Sequence, residues 1–185
     1  EQETDEEVKT GAIAYCLNKP YHYILFKLAS YWGETALKMT LNIVIGAAVA
    51  LAAVGPISVR PAHLCAVLVC AALALTLNFF IGMALGLSAF WVEDTAPFFW
   101  IYSKVLFVLG GLFAPMEVYP DALARTARAT PFNYVLYAPA RLFVQFDMEF
   151  FLRAVTMQVV WVAALAFLVM ALYRMGVRRL DVNGG

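Results

Sequence analysis

The residue types that carry most enzymatic chemistry occur in this sequence, but not at the spacings that such chemistry requires. The two histidines, His22 and His63, do not form the HExxH pattern of a zinc protease. No lysine follows a glycine, so the sequence has no phosphate-binding loop of the Walker A type. None of the serines lies in the G-x-S-x-G turn of a serine hydrolase. The sequence therefore predicts no catalytic centre, no metal site and no cofactor bound by this chain itself.

Charged residues concentrate instead at the start of the chain. Residues 1–7 contain five acidic side chains, and the turn signal Asn18-Lys19-Pro20 follows. Such a segment is too polar to cross a membrane and too acidic for a signal peptide. It predicts a polar helix that is either simply solvated or docks on a partner protein. For docking, the candidate residues are Glu6, Glu7, Lys9, Tyr15 and Lys19.

The composition of the chain indicates an integral membrane protein of the all-α class. Of the 185 residues, 63% are hydrophobic and only 14% are charged, against about 25% charged residues in a soluble domain. The net charge of zero offers no basic surface for nucleic acid. A helix needs about 20 residues to cross a bilayer. Four crossings are predicted, over residues 34–54, 62–91, 97–113 and 150–173.

The segments that flank these crossings divide the chain into three parts. Residues 1–33 are predicted to be a cytoplasmic helix followed by an amphipathic helix on the membrane surface, with a bend at Gly33. Residues 34–173 form the transmembrane domain. Residues 174–185 form a polar cytoplasmic tail. Because the chain does not begin with methionine, we expect that a preceding part of the protein is absent from this sequence.

Polar and aromatic residues inside the crossings are the candidates for a pathway or a subunit interface. Lys104 could extend its long side chain to the membrane surface, or its charge could face an interface or a wet cavity. Asn78 could form an ordinary interhelical hydrogen bond or line a pathway. Gly110 and Gly111 are expected to permit close packing or a bend. The full set is Asn42, Asn78, Trp100, Lys104, Phe107, Gly110 and Gly111.

The segment after the third crossing, residues 114–147, is too often interrupted for a crossing and too aromatic for a solvated loop. Prolines break any continuous helix there. Non-helical backbone at membrane depth must be covered by protein or line a wet cavity. The segment therefore predicts a broken, partly re-entrant helical cap on the outer side. Its marker residues are Pro115, Pro120, Pro131 and Pro139.

The distribution of basic residues predicts the orientation in the membrane. With both ends of this sequence in the cytoplasm, seven basic residues lie inside and five outside, as the positive-inside rule favours. This orientation places the cap outside and a short acidic loop with Glu93 and Asp94 inside. The predicted location is the inner (cytoplasmic) membrane.

In four stretches the sequence resembles the permease subunits of ABC-2 type exporters, in particular a bacterial branch that includes viologen- and multidrug-exporter-like permeases. The first stretch is an acidic helix, a glycine and a basic-proline end. The second is a tight loop after Phe-Trp, the third is the helix, turn and cap, and the fourth is a basic tail. In this sequence they read EEVKTGAIAYCLNKP, SAFWVEDTAPFFW, KVLFVLGGLFAPMEVYPDAL with TPFNYVLYAPARL, and GVRRLDVNGG.

The resemblance implies a fold of six transmembrane helices, the type V exporter fold, of which this sequence would contain four and the outer cap. It also implies two permease subunits, as a homodimer or heterodimer, that pair around a substrate pathway in the bilayer. Separate ATPase subunits would bind ATP and Mg and dock on the segment before Pro20. The alternative is a membrane scaffold or anchor, without transport activity, for a cytoplasmic partner. The sequence does not identify a substrate.

Overall fold

The structure is a computed structural model that describes residues 2–10, 22–53, 55, 61–114 and 116–183. Within these residues the regular secondary structure is entirely helical, which confirms the predicted all-α class. Short 3-10 turns cover Ser88–Phe90 and Met116–Val118. The α-helices are α1 (Gln2–Lys9), α2 (Tyr23–Ala53), α3 (Pro61–Leu87), α4 (Ala96–Leu109), α5 (Asp121–Ala129), α6 (Phe132–Val135), α7 (Tyr137–Val144) and α8 (Met148–Asn183).

Three of these helices are long and apolar enough to cross a membrane. They are α2 with 31 residues, α3 with 27 and α8 with 36. At about 1.5 Å per residue, each exceeds the roughly 30 Å thickness of the hydrocarbon layer. The predicted crossings 34–54, 62–91 and 150–173 coincide largely with these helices.

The chain does not leave the helix at Gly33, where a bend was expected, because α2 continues through this residue as one helix. A glycine inside a helix costs only about 1 kcal/mol relative to alanine. No neighbouring atom lies within 4 Å of a Cβ built at Gly33, so no packed element forces a bend. The predicted surface helix and the first crossing are therefore a single element.

The third predicted crossing is shorter than its apolar stretch. Helix α4 contains 14 residues and ends at Leu109, rather than at position 113, so it covers only about 21 Å. The chain leaves the helix through Gly111, whose φ of +79° lies in the left-handed region that favours glycine. The rest of the stretch belongs to a turn.

Helices α3 and α8 form the centre of the bundle and run in the same direction. Near their beginnings, Gln158 of α8 contacts the backbone of Cys70. Near their ends, Gly176 of α8 lies directly against the ring of Phe90, so closely that a Cβ at this position would overlap the ring. Since two parallel helices need a return between them, α4 and the following turn must lead the chain back across the bundle.

The buried residues form two clusters on this central pair. The α1 cluster joins the start of α2 and the ends of α3 and α8. The hairpin cluster joins α6 and α7 to the middle of α3 and the start of α8. The α1 cluster consists of Val8, Tyr23, Ile24, Phe79, Phe80, Met83, Leu87 and Val169. The hairpin cluster consists of Cys70, Leu77, Ile81, Tyr134, Val135, Ala138, Leu142 and Ala154.

Candidate functional site

The short helix α1 is held against the bundle by a buried ionic contact. One carboxylate oxygen of Glu7 accepts a hydrogen bond from the hydroxyl of Tyr23, and the other accepts one from the ammonium of Lys27, each at 2.7 Å. Lys27 is buried, with 8% of its surface exposed. Thr4 and Val8, one helical turn apart, are buried on the same helix. One face of α1 therefore belongs to the core of the bundle.

The opposite face of α1 is open to solvent and lies beside the loop after α3. Glu6 and Lys9 are exposed, as are Glu93 and Asp94 of the loop. The Lys9 ammonium is 2.9 Å from the Asp5 carboxylate and 3.9 Å from that of Asp94. Exposed pairs of this kind stabilise a protein by about 0–1 kcal/mol. We call this surface, formed by Glu6, Lys9, Glu93 and Asp94, the α1 face.

The predicted docking residues therefore separate into different environments. Glu6 and Lys9 lie on the α1 face, where a partner could reach them. Glu7 points into the bundle and binds Lys27. Tyr15 and Lys19 lie outside the described residues. Lys27 was not a sequence candidate, although a lysine within the apolar stretch that begins α2 was a signal for a buried ionic contact.

Asn78 joins three helices near the middle of the bundle. Its amide nitrogen donates a hydrogen bond to the Tyr31 hydroxyl of α2 at 3.2 Å. Its amide oxygen accepts one from the Tyr102 hydroxyl of α4 at 2.6 Å. This geometry agrees with the interhelical hydrogen bond considered from the sequence. The three side chains form a neutral polar hub of Tyr31, Asn78 and Tyr102.

A stripe of α4 faces away from the rest of the chain. Trp100 is 64% exposed and Phe107 is 46% exposed. Lys104 is also exposed, and its ammonium lies 5.4 Å from the centre of the Trp100 indole ring, within the range of a cation–π interaction. These residues, at spacings of four and three, share one side of the helix. Asn42 is exposed as well, on the separate helix α2.

Helices α5, α6 and α7 form a hairpin that returns along α4. At its beginning, the Tyr119 hydroxyl donates a hydrogen bond to the carbonyl of Val108, at the end of α4. At its turn, the ring of Phe132 lies 6.0 Å from that of Tyr102. Tyr102 precedes Val108 by six residues, or about 9 Å along the helix. The segment 121–144, which we call the cap hairpin, therefore runs back beside α4, from the end of that helix towards its middle.

Prolines and glycines give the cap hairpin its shape. Pro120 lies at the N-terminal boundary of α5, and buried Pro131 precedes α6. Pro139 is in the first turn of α7, where a missing backbone donor is tolerated. Pro115 lies outside the described residues. A Cβ at Gly111 would approach the Tyr137 side chain to 3.2 Å, so the glycine allows α7 to pack closely on this turn.

The cap hairpin is joined to the central helices by one fully buried amide. Gln158 donates hydrogen bonds from its side-chain nitrogen to the carbonyls of Cys70, at 3.0 Å, and Tyr134, at 2.9 Å. Its side-chain oxygen has no hydrogen-bond partner among the described residues. The sequence analysis missed Gln158. The available signal was an amide among the apolar residues of the first half of α8, where polar groups are expensive unless they are paired.

Among known protein families, one family model matches this chain. A model described as "ABC-2 family transporter protein" matches residues 2–184, nearly the whole chain. Neither the curated proteins nor the solved structures gave a match.

Proposed function

This chain belongs to the ABC-2 family of transporter proteins, and from that membership we propose that it is the permease subunit of an ATP-driven exporter. It is a multi-pass membrane protein with long apolar helices. Its sequence has no Walker A loop, so the energy for transport would come from separate ATPase subunits that bind ATP and Mg. The proposed location is the inner membrane, with both ends of this sequence in the cytoplasm.

The structural observation that supports this proposal is the connection between α1 and the bundle. Val8 of α1 packs among residues of α2, α3 and α8, and Glu7 binds Lys27 at the start of α2. A displacement of α1 would therefore act directly on α3, which it packs against, and on α2 through Lys27. A helix with this connection on one side and a solvated surface on the other is suited to transmit movement from a cytoplasmic ATPase.

The α1 face is the surface on which we expect the ATPase to dock. Three of its four residues, Glu6, Glu93 and Asp94, are acidic. A partner with a basic surface would therefore approach it favourably. Glu7 has a different proposed role from the one expected from sequence: it passes the movement inward instead of contacting the ATPase.

The exposed stripe of α4 supports a pathway at the interface of two permeases. A lysine that faces hydrocarbon near the middle of a helix costs about 2.5–3.5 kcal/mol. A second permease or a water-filled pathway against Lys104 would remove that cost. The neighbouring Trp100 and Phe107 supply large aromatic surfaces of the kind that is enriched at protein interfaces. We therefore propose that α4 faces the partner permease.

ATP hydrolysis by the purified complex tests this function. The tagged chain is purified with its bound ATPase, and hydrolysis is compared between the native chain and the Glu6→Lys and Glu149→Lys variants. Both variants change the same charge on an exposed residue, but Glu149 lies at the opposite end of the bundle. We expect a severalfold loss for Glu6→Lys alone. A chain that purifies in its native complex without any ATPase activity would instead be an anchor or scaffold.

Disulfide cross-linking tests the proposed interface separately. Cys16 and the exposed Cys65 are first replaced by serine, and the buried Cys70 is kept. Phe107→Cys should then form a cross-link to a second permease, whereas Phe143→Cys, at the end of the cap hairpin and more exposed than Phe107, should not. A cross-link at both positions, or at Phe143 alone, would contradict the assignment of the α4 stripe to the interface.

A further inference from the structure

A groove beside the cap hairpin has the features of a ligand site that the proposed transport function does not assign. It has a volume of about 370 Å³, within the range of small-molecule sites. Buried Met116 and Ala124 lie on its inner side. Its residues come from the turn before α5 and from one side of that helix. They are Met116, Glu117, Tyr119, Asp121, Ala124, Arg125 and Arg128.

Two guanidinium groups in the groove are available to a ligand. Arg125 and Arg128 are exposed and lie three residues apart, on the same side of α5. Arg125 uses its Nε to bond the backbone carbonyl of Asp121 at 3.3 Å. In the part of the chain that the structure describes, neither group forms a salt bridge. Arginine binds phosphate oxygens in paired, charge-assisted hydrogen bonds.

Two carboxylates share the groove with these arginines. Glu117 accepts a hydrogen bond from the Tyr137 hydroxyl, and this bond, aided by the nearby Arg141 and Arg128, lowers the pKa of the carboxyl below its usual value. The group is therefore ionised and held in position at neutral pH. Asp121, at the start of α5, is exposed. With two positive and two negative side chains, the groove favours a ligand that carries both a positive and a negative charge over a simple anion.

An apolar rim lies next to the groove along the chain. Leu112 is 61% exposed, Phe113 is 68% exposed and Val118 is 73% exposed. In a membrane protein such side chains, at the end of a short apolar helix, are suited to contact lipid tails. The groove and the rim together present a charged headgroup site beside an apolar surface.

We propose that this groove binds the zwitterionic headgroup of a phospholipid that carries a phosphate and a primary amine. Arg125 and Arg128 bind the phosphate. Glu117 and Asp121 bind the ammonium group. The acyl chains lie along the rim of Leu112, Phe113 and Val118. This site does not depend on an ATPase partner, so it can be tested independently of the transport function.

Equilibrium binding to the full-length chain in uncharged maltoside micelles tests the site. The probes are a short-chain phosphatidylethanolamine, a phosphatidylglycerol of the same chain length, phosphoethanolamine without acyl chains, and inorganic phosphate. We expect the phosphatidylethanolamine to bind most tightly. Only this probe has a phosphate for the arginines, an ammonium group for the carboxylates and acyl chains for the apolar rim. Equal affinity for phosphatidylglycerol or inorganic phosphate would overturn the zwitterion assignment. Equal affinity for phosphoethanolamine would overturn the lipid assignment in favour of a soluble ligand.

Two variants assign the binding to the groove. Arg125→Gln combined with Arg128→Gln should weaken binding about tenfold or more, the effect of losing about 1.4 kcal/mol of interaction. Arg178→Gln, an exposed arginine on the last part of α8, serves as the matched control. Glu117→Gln combined with Asp121→Asn should remove the preference for phosphatidylethanolamine over phosphatidylglycerol. If the arginine variant fails to fold, the variant with both carboxyl substitutions still tests the site through this preference. Unchanged affinity in the arginine variant would refute the site.

Discussion

The two buried clusters pack on the same pair of central helices, yet they are held by different forces. At the α1 cluster, the charged side chains of Glu7 and Lys27 join α1 to α2. At the hairpin cluster the corresponding contact is the neutral amide of Gln158, which bonds two backbone carbonyls. Close packing against Gly111 supplements it.

This difference indicates which end of the bundle is built to respond to a partner. An ionic contact loses much of its stability when one charge is removed or approached by another charge. A neutral amide that bonds backbone atoms does not respond in this way. We therefore expect α1 to be the part that changes position, whereas the cap hairpin keeps its arrangement relative to α3 and α8.

The largest effect is expected for Glu7→Gln. This change replaces the carboxylate that binds the buried Lys27 ammonium with a neutral amide, and removing one charge of a fully buried pair costs about 3–5 kcal/mol. Because Glu7 keeps 19% of its side chain exposed, we expect about 2–3 kcal/mol. Amide hydrogen exchange of residues 2–9 measures this loss as weaker protection of α1.

The matched control for this variant is Glu6→Gln, an exposed carboxylate on the same helix that should leave the exchange rates nearly unchanged. Adding Lys27→Met to Glu7→Gln should restore most of the protection, since both partners are then neutral. If Glu7→Gln alone left α1 as protected as before, the contrast between the two clusters would be lost.

A smaller loss is expected for Gly111→Ala at the cap hairpin. A non-glycine residue in the left-handed region costs about 1–2 kcal/mol, and the new Cβ would press on Tyr137. Unfolding in mixed detergent micelles should show this reduced stability. Gly33→Ala is the control, because no atom lies near its Cβ and alanine favours a helix. Equal effects of both substitutions would argue against the close packing of α7 on this turn.

The polar hub between the two clusters should contribute less. Tyr102→Phe removes the hydrogen bond to Asn78, and such interhelical bonds in membranes are worth about 0.6 kcal/mol on average. The same unfolding assay measures this change. Ser103→Ala is the control, because this neighbouring exposed hydroxyl bonds, within the described residues, to a carbonyl of its own helix. A loss as large as that of Glu7→Gln would show that the hub, and not α1, dominates the bundle.

The smallest effect concerns pH at the turn before the cap hairpin. The pKa of Glu117 is lowered mainly by its bond from Tyr137. A carboxyl with a lowered pKa stabilises the fold fully above its ordinary value of 4.5 and loses that contribution as the pH falls through the lower folded value. The difference in stability between the native chain and Tyr137→Phe should therefore shrink below about pH 4.5. A constant difference down to pH 2 would refute this assignment.

Much of the fold was predictable because a membrane helix forms all the hydrogen bonds of its backbone within itself, which favours long apolar helices. The apolar stretches therefore indicated α2, α3 and α8 directly. The breaks at Pro120 and Pro131 followed from the missing backbone donor of proline. The length of α4 was not predictable, because the apolar run continues to Phe113 while the helix ends at Leu109. Hydropathy measures polarity and not backbone conformation.

The long-range contacts could not be read from the sequence. Glu7 and Lys27 are 20 residues apart, and Gln158 and Cys70 are 88 apart. Periodicity shows which side of one helix is apolar, but not which other helix packs on it. For this reason Glu7 was predicted to face a partner protein, and Gln158 was not singled out. Docking at the α1 face and a pathway at α4 stay predictions.

The central claim is that Glu7 and Lys27 connect the ATPase to the transmembrane helices. The most direct measurement is ATP hydrolysis by the purified complex for Glu7→Lys, Lys27→Glu and the variant with both changes. The account predicts that each single change lowers the activity severalfold and that the exchange of the two charges restores most of it. Single variants with native activity, or a double variant no better than either single one, would contradict it.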